Sequence, residues 1–352
     1  MATVNSQQIV EYGAPLAPGS ADAPAPNGGE VLIRVRNCGV CHSDVHLQDG
    51  YFGLGGEKQL DVSSGRALPF TLGHEVEGEV VSLGPDASGV AIGDRVLVYP
   101  WIGCDDCPIC ARGDGHVCNH PRAIGVNLDG GYADHCLIPD AKYLFPYGDL
   151  DSSLAATYAC SGITAYGALC QAGDIRDDEQ VLILGLGGVG MMGLAFAKAM
   201  FAQAPLVTDI DAAKIEVGRA SGAAEAFDTS DPASAKAVRK ITNGGVAAVI
   251  DFVGSDSSFA FANAAVGRGG KIVVVGLIGG SMSLPLPMFP LRSLTITGSM
   301  VGSLDQFTNM MALVRAGKVT PIPIETRPLD DAEKSLQDLR DGRLIGRVVL
   351  QP

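Results

Sequence analysis

Positive charge is in short supply in this chain of 352 residues: 25 Lys and Arg stand against 39 Asp and Glu, for a net charge of −14. Nucleic acids and anionic membrane surfaces reward basic patches, so neither is an expected partner. Charged residues of both signs make up only 18% and hydrophobic ones 47%. That balance argues against a disordered chain and is enough for a substantial core. No apolar run reaches the ~18 residues of a membrane-spanning helix. The first residues, MATVNSQQIVEYGAPLAPG, lack a basic stretch followed by an apolar one and do not read as a signal peptide. Internal repeats and low-complexity segments are missing too. The nine cysteines are an odd number, which in a large chain that does not read as secreted points to thiols and metal ligands rather than disulfides. The expected compartment is the cytoplasm.

Glycine, by contrast, is abundant at 46 residues, and the length suits two domains of ordinary size. Residues 30–36 (EVLIRVR) alternate apolar and polar, as a half-buried strand does, and so do parts of 74–82 and 94–99. Turn signals at Gly84-Pro85 and Gly93-Asp94 separate them. The first 150 residues therefore read as a β-rich lobe, with 51–69 a long, polar, Gly-rich loop. The pattern changes near residue 155, where helical spacing begins. Val181–Leu184 is a short all-apolar run, suited to a strand buried on both faces of a parallel sheet. Further strands are expected at Leu206–Asp209, Val246–Asp251, Lys271–Gly276 and Leu294–Thr297, alternating with helices. This is the rhythm of a doubly wound α/β sheet. A last helix and a strand at Gly346–Leu350 follow.

Two motifs carry chemistry. The first is CDDCPICARGDGHVC, which sets Cys104, Cys107, Cys110 and Cys118 at spacings of a closed tetrahedral zinc site. All four ligand positions are filled by sulfur, so the role is structural. The second is Gly185-Leu186-Gly187-Gly188-Val189-Gly190, which follows a predicted strand and opens an apolar helix. In that context the G-x-G-x-x-G pattern reads as a dinucleotide loop, with the pyrophosphate at the helix N-terminus. Asp209 ends the next strand, where a carboxylate accepts from ribose hydroxyls and repels a 2′-phosphate. No Arg follows it in Ile-Asp-Ala-Ala, so NAD(H) is expected over NADP(H).

The remaining reactive residues, Cys38, Cys41, His42, His46, His74 and Cys160, are too scattered for spacing to define a second site. Their surroundings are more informative. GVCHSDVH (39–46), GHEVEGEVVSLG (73–84), GDRV (93–96), the four-cysteine loop and CSGITAYGAL (160–169) occur in order ahead of GLGGVG. Over essentially its whole length the chain resembles the zinc-containing medium-chain alcohol dehydrogenases, and is most similar to their tetrameric microbial NAD-dependent branch.

That resemblance implies a GroES-like, β-rich catalytic domain (1–157 and 298–352) joined to a Rossmann domain (158–297). It implies two zinc ions per chain, a homotetramer, with a dimer as the alternative, and reversible hydride transfer between NAD and a primary or secondary alcohol, giving aldehyde or ketone. Cys41, His74 and Cys160 match the catalytic zinc ligands, and Glu75 a residue able to approach that metal. Asp44 matches the carboxylate that orients the ligand histidine. Ser43 and His46 match the ends of a proton relay through the cofactor ribose. On the cofactor side, His42, Thr164, Lys214, Val275, Leu277 and Arg347 join the glycine loop, with Arg347 at the pyrophosphate. Trp101, Phe52 and Ile278 match a substrate pocket whose apolar character suits aliphatic or aromatic alcohols. Cys38, Cys136 and Cys170 read as buried thiols without a role. Two other functions stay open: a polyol or otherwise specialised dehydrogenase of the same chemistry, and a non-catalytic dinucleotide-binding protein.

Overall fold

Strands form where apolar residues alternate or cluster in the sequence, and they gather into two main sheets. The structure, a computed structural model, describes residues 3–352. In the first lobe, Val31–Gly39 is the central strand. It pairs antiparallel with Glu75–Leu83, with Arg347–Gln351 and with His135–Ile138. The sheet runs in the order Leu144–Phe145, Arg95–Val98, Glu75–Leu83, Val31–Gly39, Arg347–Gln351, Ile324–Pro328. Two register shifts interrupt the Val31–Gly39 and Glu75–Leu83 ladder; such bulges bend a strand. A smaller sheet orders Ala17–Asp22, Thr3–Ile9 and Phe70–Thr71.

The second lobe is a parallel six-stranded sheet. Its order is Glu225–Asp228, Leu206–Asp209, Val181–Leu184, Val246–Asp251, Val266–Val274, Thr295–Gly298. By chain position that is third, second, first, fourth, fifth, sixth. The order reverses beside Val181–Leu184, and a crevice opens at such a reversal above the carboxyl ends of the strands. All four residues of Val181–Leu184 are buried, as expected for a strand covered by helices on both faces.

The sequence reading differs from the structure in several places. The segment 51–69 is not one continuous loop: Tyr51–Gly53 and Gln59–Asp61 form a short antiparallel hairpin. The fifth parallel strand begins at Val266 rather than Lys271 and ends at Val274, because Val266 pairs with Val246 ahead of a bulge and the ladder resumes at Lys271. The edge strand Glu225–Asp228 and the N-terminal hairpin Thr3–Ile9/Ala17–Asp22 have no counterpart in the sequence reading. Cys38 and Cys136 are buried, but Cys170 is only half-buried. Among the described residues, no helix is long and apolar enough to cross a membrane.

Candidate metal and dinucleotide sites

Three elements and one loop meet between the lobes. Cys41 stands at the N-cap of the helix His42–Asp49. His74 and Glu75 lie at the start of the strand Glu75–Leu83, and both are fully buried. Cys160 lies in a π-helical turn, Tyr158–Gly162, between two α-helical segments. Single π turns inside helices accompany functional sites because they redirect one side chain. Here the sulfur of Cys160 comes 3.8 Å from that of Cys41. One ligand atom from each of Cys41, His74, Glu75 and Cys160 fits within a 4.8 Å cluster.

The donor set fits zinc. At a Zn–S distance of about 2.3 Å, two sulfurs on a tetrahedral ion sit about 3.8 Å apart. The Nε2 of His74 is buried without any partner in the protein, a state that buried polar atoms rarely hold unless an ion or water completes it. Asp44, also fully buried, accepts at Oδ2 from the Cys41 backbone N–H at 2.9 Å and from the Tyr132 hydroxyl at 3.0 Å. Its Oδ1 lies 3.1 Å from His74 Nδ1, off the line of a straight hydrogen bond. One carboxylate thus ties the helix and the histidine together and leaves Nε2 for the cluster.

Charge in the cluster is distributed unevenly. The hydrogen bond from Cys160, reinforced by His74, holds Cys41 well below the ordinary thiol range despite its burial. The same bond and burial push Cys160 up. Burial opposes a charge on His74, but Asp44 outweighs it and raises the imidazole. Burial raises Glu75 to about 7, against the pull of Arg347. Arg347 forms a buried ion pair with Glu75 and is held above its usual value by that carboxylate in spite of burial. Gly39, across the ladder, makes room for the Glu75 carboxylate, which a Cβ there would strike.

Arg347 also reaches the dinucleotide loop: a Cβ on Gly188 would collide with its Cδ. Gly185 has φ +90° and only 2.6 Å between an added Cβ and Val253 Cγ2, so the tight turn requires glycine. Gly187 caps the helix Gly188–Met200, and a Cβ there would meet nothing within 4 Å. That open cradle beneath a helix N-terminus, with Val189 half-buried and Gly190 packed on the Gly185 carbonyl, fits a pyrophosphate. Asp209 ends its strand and accepts from the Leu186 N–H at 2.6 Å, beside the same loop. Lys214 follows on the helix Ala212–Ala220.

His42 is exposed, and Ser43 and His46 are half-buried, all on the Cys41 helix. The His46 ring lies 4.5 Å from Phe52 on the short hairpin. Thr164, half-buried, lies in the first turn of the helix Ile163–Ala172 that follows the Cys160 turn. Trp101 is buried with its ring 5.3 Å from that of His74, and its Nε1 donates to the Ala159 carbonyl at 2.9 Å, next to Cys160. Val275 is half-buried, whereas Leu277 and Ile278 are 53% and 68% exposed. Exposure sets Ile278 apart from the buried wall at Trp101. Tyr132 is a supporting residue that the sequence reading missed; it lies 88 positions from the Asp44 it bonds, and no local pattern marks it.

The second cluster has another character. Cys104, Cys107, Cys110 and Cys118 come together within one loop. Sulfur separations of 3.5, 3.7 and 4.0 Å again bracket the tetrahedral edge. Backbone N–H groups of Cys104 and His120 donate to Cys118 Sγ, and that of Cys110 donates to Cys107 Sγ. The Cys104 and His120 contacts lower the Cys118 thiol to about 6.

Residues 27–149 match the family described as Alcohol dehydrogenase GroES-like domain, and residues 188–316 match Zinc-binding dehydrogenase. An NAD-dependent alcohol dehydrogenase of Sulfurisphaera tokodaii is 35% identical over 99% of this chain and 100% of its own. Its namesake in Saccharolobus solfataricus is 36% identical over 98% and 99%. The solved alcohol dehydrogenase of the hyperthermophilic archaeon Aeropyrum pernix superposes with a TM-score of 0.87 at 28% identity, covering 99% of this chain and all of the other. The chain belongs to the zinc-containing medium-chain alcohol dehydrogenase family.

Proposed function

We propose that this chain is an NAD-dependent alcohol dehydrogenase whose reaction centre is Cys41, His74 and Cys160. The observation that carries this reading is the buried Cys₂His set, with an unpartnered His74 Nε2, beside an open glycine cradle. Three protein donors leave a fourth position for substrate. Zinc held there supplies a Lewis acid that favours the deprotonated alcohol, and NAD supplies the hydride acceptor.

The chain's own residues do the rest. Asp44 fixes the ring of His74 so that Nε2 faces the cluster. Trp101 covers one side with apolar surface and keeps water out, which favours aliphatic or aromatic substrates over sugars. Phe52 covers His46. Ser43, two residues past the ligand Cys41, takes up the hydroxyl proton as it passes its own on through the cofactor ribose, and His46 receives one at the outer end of the relay; an imidazole is suited to that exchange near neutral pH. Gly185, Gly187, Gly188, Val189 and Gly190 cradle the pyrophosphate with Arg347, and Asp209 reads the ribose. His42, Thr164, Lys214, Val275 and Leu277 line the rest of the cofactor cleft. Glu75 stands in reserve beside the metal, held by Arg347. The lobes divide as 1–157 with 298–352, and 158–297; the return of Arg347–Gln351 to the first sheet supports this division. The four-cysteine loop binds the second zinc. A cytoplasmic homotetramer completes the proposal.

The test is a panel of primary, secondary, benzylic and polyol substrates, each with NAD and NADP, on wild type and Asp209→Gly. Turnover of simple alcohols with NAD is expected. The NAD preference should relax by roughly tenfold or more in the variant, in keeping with loss of a charged hydrogen bond. Turnover confined to polyols would favour the specialised-dehydrogenase alternative, and an unchanged cofactor ratio would remove Asp209 from the ribose site.

A further inference from the structure

The helix His42–Asp49, capped by Cys41 and carrying Ser43 and His46, has eight residues and is too short to be stable by itself. Its hydrogen bonds show what holds it. The helix Ala332–Arg340 packs alongside and presents Glu333 and Arg340, two turns apart on one face. Both grip Gln48, which is buried: its Nε2 donates to Glu333 Oε2 at 2.7 Å, and its Oε1 accepts from Arg340 Nη2 at 2.9 Å. Glu333 also accepts from the Leu16 N–H at 2.9 Å. Arg340 then makes a two-point bond to Asp49, Nη1 to Oδ2 and Nη2 to Oδ1, each at 2.7 Å. A guanidinium at the C-terminal end of the helix also suits its dipole.

The same pair lies beside His46: Asp49 is three residues further along the same helix, and Arg340 Nη2 reaches to 3.5 Å from the carbonyl of Val45, the residue before it. The charged and titratable groups that face the imidazole are Asp49 and Cys41 with neighbouring His42 from its own helix, and Arg340 from the C-terminal helix. Phe52 covers the ring from the hairpin. Asp49 favours a proton on His46 and Arg340 opposes it. While the pair is intact the two influences work against each other. Removing one partner leaves the other uncompensated.

We propose that Arg340 and Asp49 are positioning residues for the reaction: their ion pair locks the relay helix against the C-terminal helix and sets two opposed charges beside His46, so that breaking it from either side retunes the relay in opposite directions. The proposal rests on the reading of His46 as the outer end of that relay.

The experiment follows the His46 imidazole by NMR in zinc-loaded, selectively histidine-labelled enzyme, with His46→Gln assigning the resonance, alongside the pH dependence of kcat. Arg340→Gln should raise the His46 midpoint by about 0.5 pH unit or more, Asp49→Asn should lower it by a similar amount, and the double variant should return close to wild type. Arg340→Lys keeps the charge without the two-point grip, so its midpoint should stay near wild type while its thermal stability falls. Shifts of the same sign in the two single variants, or none in either, would overturn the proposal. If the NMR midpoints move as expected and the kcat profiles do not follow, the charge tuning stands and the relay role of His46 fails.

Discussion

The two cysteine-containing clusters have similar sulfur spacings and are built in opposite ways. The loop cluster draws four ligands from fifteen consecutive residues, 104–118, and three of its sulfurs are only half-buried. Its order comes from backbone N–H groups aimed at sulfur. The reaction cluster draws on residues up to 119 positions apart, and every member is buried. Its order comes from side chains: Asp44 on His74, Arg347 on Glu75, Trp101 on the Cys160 turn. A local cluster can form once its loop closes. A dispersed one forms only when the first sheet, the His42–Asp49 helix and the Cys160 turn have packed together, and Arg347, paired with Glu75, links it to the glycine loop. Closure suits the first to a staple; three Cys and His donors, with a carboxylate in reserve, suit the second to the proposed reaction centre.

Cys160→Ala is the strongest challenge to that contrast. Losing a ligand of the open site should cut turnover on the order of 10³-fold or more, the several kcal/mol a Lewis acid supplies. NADH affinity, measured by titration, should change only a few-fold. Undiminished turnover would dissolve the distinction between the sites. The converse variant is Cys107→Ser. Here the unfolding midpoint should fall, by about 2 kcal/mol or more in stability, while turnover per folded molecule is retained. A stable but inactive protein would give the loop a chemical role.

Asp44→Asn sharpens the comparison, because the loop cluster has no equivalent buried carboxylate. Zinc affinity at the reaction cluster should weaken by about 10- to 100-fold, read as one of two metals per chain lost first to a chelator. Loss of both metals together would show that the clusters are not independent.

The smallest effect concerns acid. Burial holds His46, half-buried on the ligand-bearing helix, below the usual imidazole value. The unfolded chain binds that proton at a higher pH than the folded one. This group's contribution to stability is therefore complete above about 6.5 and falls as the pH drops from there through the lower folded value. Denaturant midpoints measured from neutral pH downward should show that slope. It should be shallower in His46→Gln and unchanged in Cys107→Ser; an equal slope in all three would detach it from the relay helix.

The parallel sheet was legible because strands buried on both faces are written as uninterrupted apolar runs. Val181–Leu184, Leu206–Asp209 and Val246–Asp251 have the bounds their sequences suggest. Glu225–Asp228 was not, since an edge strand reading EAFD, with only Ala226 buried, carries no such run. The N-terminal hairpin hides for a related reason: TVNSQQI and APGSAD owe their pairing to the backbone. In the sites, the cysteine loop and the glycine loop announce themselves by spacing. Cys41, His74 and Cys160 became readable only through family resemblance. Tyr132 and Arg340 were invisible, because what they do depends on partners 88 and 291 positions away.

The position of Trp101 gives the molecule an optical property. It is the one indole in the chain, and it is buried against His74 of the dispersed cluster. All tryptophan emission therefore originates beside the proposed reaction centre, without background from elsewhere. Reduced nicotinamide absorbs where indole emits, so energy transfer to bound NADH starts from a single, fixed donor. Cofactor arrival, metal exchange and substrate entry can each be followed in the unlabelled protein by one fluorophore.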